Sequence, residues 1–194
     1  MNPREPTLIQ DFLDPATCRE VRRAMNRGAA DAAEVLDHGI TLDDEARRAS
    51  SIDVDPCTLA AVETRLDEVR DALSARCGVP LHGREGAGFI RYSDGGFYRL
   101  HRDRGNDADW PAAAQRRIAV VVFLNSGQDA EHAEFRGGEL VIYPEPENAR
   151  RDPIRITPRE GLLVAFDAAQ LHEVCPVAGG TRDVIVDWYY GPEA

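Results

Sequence analysis

The chain has 194 residues and a formal net charge of −11, from 34 acidic and 23 basic side chains. This length suits a single domain with a substantial core, and an acidic chain without a basic run is a poor candidate for binding nucleic acid. The sequence contains neither an apolar leader region nor a stretch of transmembrane length, so we expect a cytoplasmic protein without membrane contact.

Two helices are predicted in the first part of the chain, and each begins at an Asp-Pro pair. Asp14-Pro15 and Asp55-Pro56 combine a helix-capping carboxylate with a proline at the first helical position. The second helix carries apolar residues at alternating spacings of three and four and ends before Gly78. We expect this stripe to pack against the outside of a sheet. Residues 28–50 show no clear period and are predicted to form an exposed loop or a short helix.

From Gly88 onward the pattern changes to short strands separated by turn residues. Eight strands are predicted: Gly88–Ser93, Tyr98–Arg102, Arg117–Asn125, Glu139–Tyr143, Ile154–Thr157, Leu162–Asp167, Leu171–Cys175 and Thr181–Tyr190. Eight strands without intervening helices favour a jelly roll over a βαβ fold. We therefore predict one mainly β domain over residues 1–194. Residues 1–86 form a helical buttress, and residues 87–194 form a double-stranded β-helix (jelly-roll, cupin-like) catalytic core.

A metal site is predicted from His101, Asp103 and His172. An imidazole and a carboxylate at positions i and i+2 project from one face of a strand, and a second imidazole follows 71 residues after the first. Two His and one carboxylate are the ligands of the facial triad that holds Fe(II) and leaves the opposite coordination face open. Ordinary hydrogen-bonded roles are the alternative for all three residues.

Arg182 is the candidate anchor for an anionic co-substrate. The turn-forming segment Pro176–Gly180 predicts a hairpin that returns Arg182 to the side of His172. Steps of two from Arg182 give an apolar, inward-facing set: Val184, Val186 and Trp188. An arginine at the end of such a set needs a buried anionic partner, which a dicarboxylate would supply through a bidentate pair. A surface ion pair with Asp183 or Asp187, on the other, mostly polar face, is the alternative.

Taken together, these motifs resemble the prolyl-hydroxylase type of Fe(II)/2-oxoglutarate-dependent dioxygenase. The resemblance rests on an ordered set: Tyr92-x-x-Gly95-x-x-Tyr98-x-x-His101-x-Asp103, Phe123-Leu124-Asn125, Gly137-Gly138-Glu139-Leu140, His172 and Arg182. It implies a jelly-roll enzyme that binds Fe(II) and uses 2-oxoglutarate and O2. It does not decide whether the enzyme also needs ascorbate. Members of the family convert 2-oxoglutarate to succinate and CO2 while they hydroxylate an unactivated C–H bond. A prolyl residue of a peptide or protein is the implied target.

The resemblance also implies roles for the aromatic residues. Tyr92 and Tyr98 match phenols that face the 2-oxoglutarate and substrate pockets, and Trp188 matches a tryptophan on the substrate side. Core packing is the alternative for all three. Asp103 favours hydroxylation, because iron halogenases of the superfamily carry a small residue at the position of this carboxylate.

Two further residues qualify the resemblance. A tyrosine that contacts 2-oxoglutarate in the oxygen-sensing prolyl hydroxylases aligns with Val122, so a hydroxyl is expected from Tyr92 or Tyr98 instead. Arg99, two residues before His101, is a candidate partner for a substrate carboxylate or carbonyl, with simple solvent exposure as the alternative. The polar segment Ser126–Arg136 is predicted to be a loop that borders an open substrate groove.

Two other functions stay open at this point. The enzyme could hydroxylate a free amino acid or a secondary metabolite, or the chain could be a jelly-roll binding module without turnover. The sequence does not indicate an oligomeric state.

Overall fold

The computed structural model describes residues 5–36, 40–41, 45–105, 111–127, 132–143 and 152–192. Its helices are α1 (Pro15–Met25), α2 (Pro56–Cys77) and α3 (Pro111–Gln115). Its strands are β1 (Thr7–Ile9), β2 (Ala30–Ala32), β3 (Val35–Leu36), β4 (Ile40–Thr41), β5 (Arg47–Arg48), β6 (Ser50–Ile52), β7 (Gly88–Tyr92), β8 (Phe97–His101), β9 (Arg116–Phe123), β10 (Arg136–Gly137), β11 (Leu140–Ile142), β12 (Ile154–Ile156), β13 (Leu163–Asp167), β14 (His172–Val174), β15 (Val177–Ala178) and β16 (Arg182–Tyr190). No helix in these ranges is long and apolar enough to cross a membrane.

Both long helices form where the sequence predicts them. Asp14 caps α1 by accepting hydrogen bonds from the backbone N–H groups of Ala16 and Thr17. Asp55 caps α2 in the same way, which satisfies donors that have no partner within the helix. The α2 helix ends at Gly78, whose φ of 68° is in the left-handed region that glycine adopts without strain.

The strands form two main antiparallel sheets that face each other, as the predicted jelly roll requires. The larger sheet has the order β1-β13-β9-β16-β7-β6-β2, and the smaller sheet has the order β12-β11-β14-β8-β5. All eight strands predicted after Gly88 are present, within one or two residues at each end. The predicted fold class is confirmed.

Side chains of the larger sheet alternate between two separate cores. Its inner face contributes Phe123 and Val184 to a cluster shared with Leu140 and Val174 of the smaller sheet. Its outer face carries a second cluster against the helices, which includes Met25, Leu66, Val122 and Ile185. The molecule therefore has three layers, with the helices on the outside of the larger sheet.

The outer face of β16 is polar in sequence but buried in the structure. Asp183 and Asp187 are both 0% exposed, because the helical layer covers them. Asp183 pairs with Arg91 at 2.7 Å and with Arg22 of α1 at 3.1 Å. Asp187 pairs with Arg84 at 2.9 Å. The pair with Arg22 joins α1 to the sheet, and Arg84 joins α2 to it because it also pairs with Glu63 at 3.4 Å.

The prediction for residues 28–50 is wrong. This segment contains the short strands β2 to β5, of which β2 joins the larger sheet through β6, and β5 joins the smaller sheet through β8. Strands of two or three residues are too short to show a hydrophobic period in sequence. Part of the predicted helical buttress therefore extends both sheets.

The predicted hairpin around Pro176–Gly180 is also wrong. The strand β14 that begins with His172 lies in the smaller sheet, whereas β16 that begins with Arg182 lies in the larger sheet. The connection contains β15, which pairs with β10. Arg182 therefore faces the smaller sheet across the inner core and does not lie beside His172 in one sheet.

Replacing Asp183 tests the layer contact. Asp183→Ala should lower the free energy of unfolding by roughly 3 kcal/mol, at the low end for a broken buried ion pair, because Arg22 and Arg91 keep some solvent exposure. Urea denaturation followed by circular dichroism measures this change. The control is Asp71→Ala on α2, where the side chain is 93% exposed. Equal midpoints for the two variants would contradict a structural role for Asp183.

Candidate active site

His101, Asp103 and His172 meet at the edge of the inner core. His101 ends β8 and is the cross-strand partner of His172, which begins β14. Asp103 lies in the bend that follows β8. Its carboxylate oxygens lie 3.5 Å from His101 Nε2 and 3.4 Å from His172 Nε2. One ligand atom from each residue falls within 4.8 Å of the others, as a shared metal ion requires.

Backbone carbonyls orient both imidazoles. The Nδ1 atom of His101 lies 2.7 Å from the carbonyl oxygen of Arg99, and that of His172 lies 3.0 Å from the carbonyl oxygen of Gln170. A carbonyl only accepts a hydrogen bond, so Nδ1 of each ring must donate the proton. This leaves the Nε2 lone pairs directed at Asp103, where a metal would bind.

The charge states suit a divalent cation. Burial, reinforced by the neighbouring His101, lowers the pKa of His172 to about 4. Burial opposes ionisation of Asp103, but His172 and His101 outweigh it and hold the pKa of this carboxyl well below its ordinary value. Near neutral pH His172 is a neutral ligand and Asp103 is a carboxylate, so neither must lose a proton before metal binds.

A β-bulge in β8 decides which side chains face the metal site. Tyr98 pairs with Val174 and His101 pairs with His172, so β8 spans three residues where β14 spans two. The extra residue lets both Tyr98 and His101 point inward, with their rings stacked at 3.5 Å.

The bulge turns Arg99 outward. Its side chain is exposed and donates a hydrogen bond to the backbone carbonyl of Glu45. The structure does not support the predicted contact of Arg99 with a substrate carboxylate or carbonyl, because the period of two does not hold across the bulge and Arg99 does not share a face with His101. Arg99 lies outside the cavity onto which His101 opens.

A cavity of about 410 Å³ separates the two sheets and joins the other predicted residues. The metal-ligand triad, Tyr92, Tyr98, Arg182 and Trp188 all line it. Residues 31–34 also line this cavity, so the segment predicted to be a loop or helix forms part of its mouth. The described ends of Ser126–Arg136 do not line it. Residues 128–131 lie outside the described part of the chain.

Arg182 is buried in this cavity, and none of the carboxylates that the structure describes is its partner. It is 1% exposed, and its guanidinium carbon lies 4.9 Å from the ring centre of Tyr92 and 5.0 Å from that of Phe123. Within the described ranges, its Nε and Nη2 atoms have no hydrogen-bond acceptor. Burial lowers the pKa of Arg182 to about 10, so the guanidinium stays charged near neutral pH. A buried cation with unused donors requires an anionic ligand.

The alternative pairing of Arg182 with a neighbouring aspartate does not occur. Asp183 and Asp187 point to the opposite face of β16 and are bound by other arginines. Close packing also fixes the Arg182 side chain. A Cβ atom added at Gly138, where φ is 68°, would lie 2.9 Å from Arg182 Cδ. The absence of a side chain at Gly138 therefore leaves room for the arginine stem.

The predicted alignment of Val122 with a co-substrate contact is wrong. Val122 is 0% exposed and belongs to the cluster against the helices, on the side of β9 away from the cavity. Phe123 belongs to the inner cluster and lies against Arg182. The β9 residue beside the guanidinium is therefore Phe123, which has no hydrogen-bond donor, and the phenol beside the guanidinium is that of Tyr92.

Sequence reasoning missed three charged residues of the cavity. Arg116 lies 3.8 Å from the ring centre of Trp188 and donates a hydrogen bond to the backbone carbonyl of Asp103 at 3.0 Å. Glu85 pairs with Arg116, whose Nε lies 2.6 Å from Glu85 Oε2. The third, Arg47, lies over the ring of Tyr98 at 4.6 Å. Position 116 borders a predicted strand, but nothing in the pattern around Arg47 indicated an inward side chain.

The fold and the site define an Fe(II)- and 2-oxoglutarate-dependent oxygenase. Residues 87–190 match the profile of the 2OG-Fe(II) oxygenase superfamily, and the chain belongs to this family. The family uses Fe(II), 2-oxoglutarate and O2, as the resemblance in sequence implied. A search of curated proteins found no match.

Solved structures of prolyl hydroxylases share the fold. A prolyl-4-hydroxylase from Pseudomonas putida is 24% identical with a TM-score of 0.71, over 97% of this chain and 94% of that one. A Trichoplax adhaerens prolyl hydroxylase, in complex with a hypoxia inducible factor oxygen degradation domain peptide fragment, is 22% identical with a TM-score of 0.74, over 98% and 85%. A viral collagen prolyl hydroxylase from Paramecium Bursaria Chlorella virus-1 is 17% identical with a TM-score of 0.64, over 96% of each chain.

Removal of one imidazole tests the metal site. His172→Ala should weaken Mn(II) binding by roughly 100-fold or more, because even residues that only orient a ligand contribute 10–100-fold. Electron paramagnetic resonance of free Mn(II) measures the affinity at fixed pH. His82→Ala, at an exposed position, is the control and should bind as the wild type does. Wild-type affinity in His172→Ala, with intact circular dichroism, would exclude His172 as a ligand.

Proposed function

We propose that this enzyme hydroxylates a prolyl residue of a peptide or protein, with Fe(II) held by His101, Asp103 and His172 and 2-oxoglutarate held by Arg182. The observation that carries the proposal is the buried charge of Arg182. It lies in the same cavity as the triad and has unused donors within the described residues. A dicarboxylate that chelates the metal at one end supplies the missing anion at the other.

The donor set fits the metal. His101, Asp103 and His172 would hold Fe(II) through two imidazole nitrogens and one carboxylate oxygen, a donor set that leaves positions open for the 2-oxo acid and O2. Bound Fe(II) would supply the activation of O2 that protein side chains cannot perform. With Asp103 as the third ligand, no ligand position would be left for halide, which favours hydroxylation.

The protein's own residues bind, orient and exclude water. Carbonyl groups fix the two imidazoles, and the stacked ring of Tyr98 restricts His101. Arg182 fixes the far end of the co-substrate, so that its 2-oxo acid end is held at the triad. Tyr92, 2% exposed, closes the wall beside Arg182. Such positioning lowers the entropic cost of bringing the reactants together.

The substrate side of the cavity is defined by Trp188. Its ring packs against the guanidinium of Arg116. The same guanidinium donates a hydrogen bond to the backbone carbonyl of Asp103. A planar aromatic surface next to a metal ligand is suited to a prolyl ring, which packs by apolar contact. The shared fold with prolyl hydroxylases supports the same substrate class. A cytoplasmic location also stays a prediction.

The first prediction of this proposal concerns Arg182. Each charge-assisted hydrogen bond contributes roughly 1.5–3 kcal/mol, so Arg182→Ala should weaken 2-oxoglutarate binding by about 100-fold or more. Arg182→Lys should be intermediate, since it keeps the charge but loses the planar pair of donors. Calorimetry on the Mn(II)-loaded protein measures the affinity. Arg159→Ala, at an exposed position outside the cavity, is the control.

An unchanged 2-oxoglutarate affinity in Arg182→Ala would contradict the role of Arg182 in binding the distal carboxylate. A variant that fails to bind Mn(II) would be uninformative about the anchor, so Mn(II) affinity is measured first. The lysine variant, which keeps the charge of the side chain, then provides the comparison.

The second prediction concerns the substrate class. A proline-containing peptide with blocked termini and free L-proline are offered to the Fe(II)-loaded enzyme with 2-oxoglutarate and O2. We expect the peptide to gain the mass of one oxygen atom and free proline to remain unchanged. Succinate formed without substrate shows that the metal site is active. Hydroxylation confined to free amino acids or other small molecules would overturn the peptidyl-proline assignment and leave the oxygenase assignment intact.

A further inference from the structure

Arg47 is a second guanidinium in the cavity, and no carboxylate among the described residues forms an ion pair with it. Its Nη1 donates a hydrogen bond to the backbone carbonyl of Glu34 at 2.8 Å, and its guanidinium lies over the ring of Tyr98 at 4.6 Å. Its Nε is buried and has no acceptor in the part of the chain that the structure describes. Arg116, by contrast, is neutralised by Glu85.

The strand register places Arg47 between the metal ligands and Arg182. In the smaller sheet, Ile142, His172 and His101 form one cross-strand row, which is the row of the metal ligands. The next row along the strands consists of Leu140, Val174, Tyr98 and Arg47. Each row is about 7 Å from the next.

Gly138 and Val177 lie beyond the second row, at the end of the cavity where Arg182 lies. The Cβ position of Gly138 is 2.9 Å from Arg182 Cδ and 3.2 Å from Val177 Cγ2. The order along the cavity is therefore the metal ligands, then Tyr98 with Arg47, then Arg182. A co-substrate that extends from the metal to Arg182 must pass the row that contains Arg47.

The two guanidiniums repel each other across the cavity. Burial is the largest cause of the lowered pKa of Arg182, and the positive charge of Arg47 lowers it further. Neither side chain has an ion pair with a described carboxylate. An anion between them would remove the repulsion and use the donors that both leave unpaired.

Phe123 provides an independent reason for a second donor. It lies against the Arg182 guanidinium at 5.0 Å and offers no hydroxyl group. A carboxylate oxygen has more acceptor capacity than one guanidinium uses, and the neighbouring wall of β9 cannot supply the next hydrogen bond. Arg47 approaches from the opposite sheet, where a donor is present.

We propose that Arg47 is a second binding residue for 2-oxoglutarate and shares its distal carboxylate with Arg182. This inference rests on the proposed function, because it takes 2-oxoglutarate to extend from the triad to Arg182. It assigns a cofactor-binding role to a residue of the short strand β5, far in sequence from the other site residues.

Paired ligands and paired variants test the proposal. Calorimetry on the Mn(II)-loaded protein compares 2-oxoglutarate with 2-oxovalerate, which has the same chain length but a methyl group in place of the distal carboxylate. Arg47→Ala should weaken 2-oxoglutarate by about tenfold or more, the effect of one charge-assisted hydrogen bond. It should leave 2-oxovalerate unchanged within about twofold.

Arg48→Ala is the matched control. Arg48 follows Arg47 on β5, is exposed, and lies over the ring of Phe97 at 5.7 Å, outside the cavity. We expect wild-type affinity for both ligands. If Arg47→Ala does not fold, Arg47→Met keeps a long apolar side chain at this position and removes the guanidinium that lies over Tyr98.

Two results would overturn the role of Arg47. One is wild-type 2-oxoglutarate affinity in Arg47→Ala or Arg47→Met. The other is an equal loss for 2-oxoglutarate and 2-oxovalerate, which would place the effect on Tyr98 and the metal ligands. Failure of the proposed function looks different: the wild type would not bind 2-oxoglutarate, or Arg182→Ala would bind it normally.

Discussion

The alternation of charge along β16 is the constraint on which the rest of the structure depends. Arg182 points into the inner core and Asp183 points out of it, so neighbouring residues of opposite charge cannot neutralise each other. A slip of one residue would bury Asp183 in the cavity and expose Arg182 to the helices. The register of β16 against β7 and β9 therefore fixes the charge of the cavity.

The same alternation connects the site to the helical layer. Asp183 binds Arg22 of α1, and Asp187 binds Arg84, which also pairs with Glu63 of α2 at 3.4 Å. These carboxylates lie on the far side of the sheet from the metal ligands, and they hold the helices in place. The helices thus contribute to the site without touching it, because they satisfy carboxylates that would otherwise be buried and unpaired.

Much of this arrangement was readable from sequence because it follows from regular periods and caps. The helix stripes, the eight later strands and the inward register of Arg182 all obey the spacings of 3.6 or 2. His101 and Asp103 were predicted on one strand face, but β8 ends at His101 and Asp103 reaches the site from the following bend. The errors have physical causes. The bulge in β8, which no residue pattern marks, turns the Arg99 side chain away from the cavity. Strands of two or three residues are too short to show a period, so the sequence around Arg47 did not predict an inward side chain. The Pro176–Gly180 turn signalled a change of direction but not a change of sheet.

The burial of Arg182 has a consequence for the stability of the whole chain. A desolvated cation without a counterion raises the free energy of the folded state, and an anion that binds only the folded state lowers it by RT ln(1 + [L]/Kd). At a ligand concentration of 100 times Kd this linkage amounts to about 2.7 kcal/mol, a considerable part of the stability of a domain. The resistance of this enzyme to heat and proteolysis should therefore increase with the 2-oxoglutarate concentration. The same metabolite would then set both the catalytic rate and the lifetime of the protein.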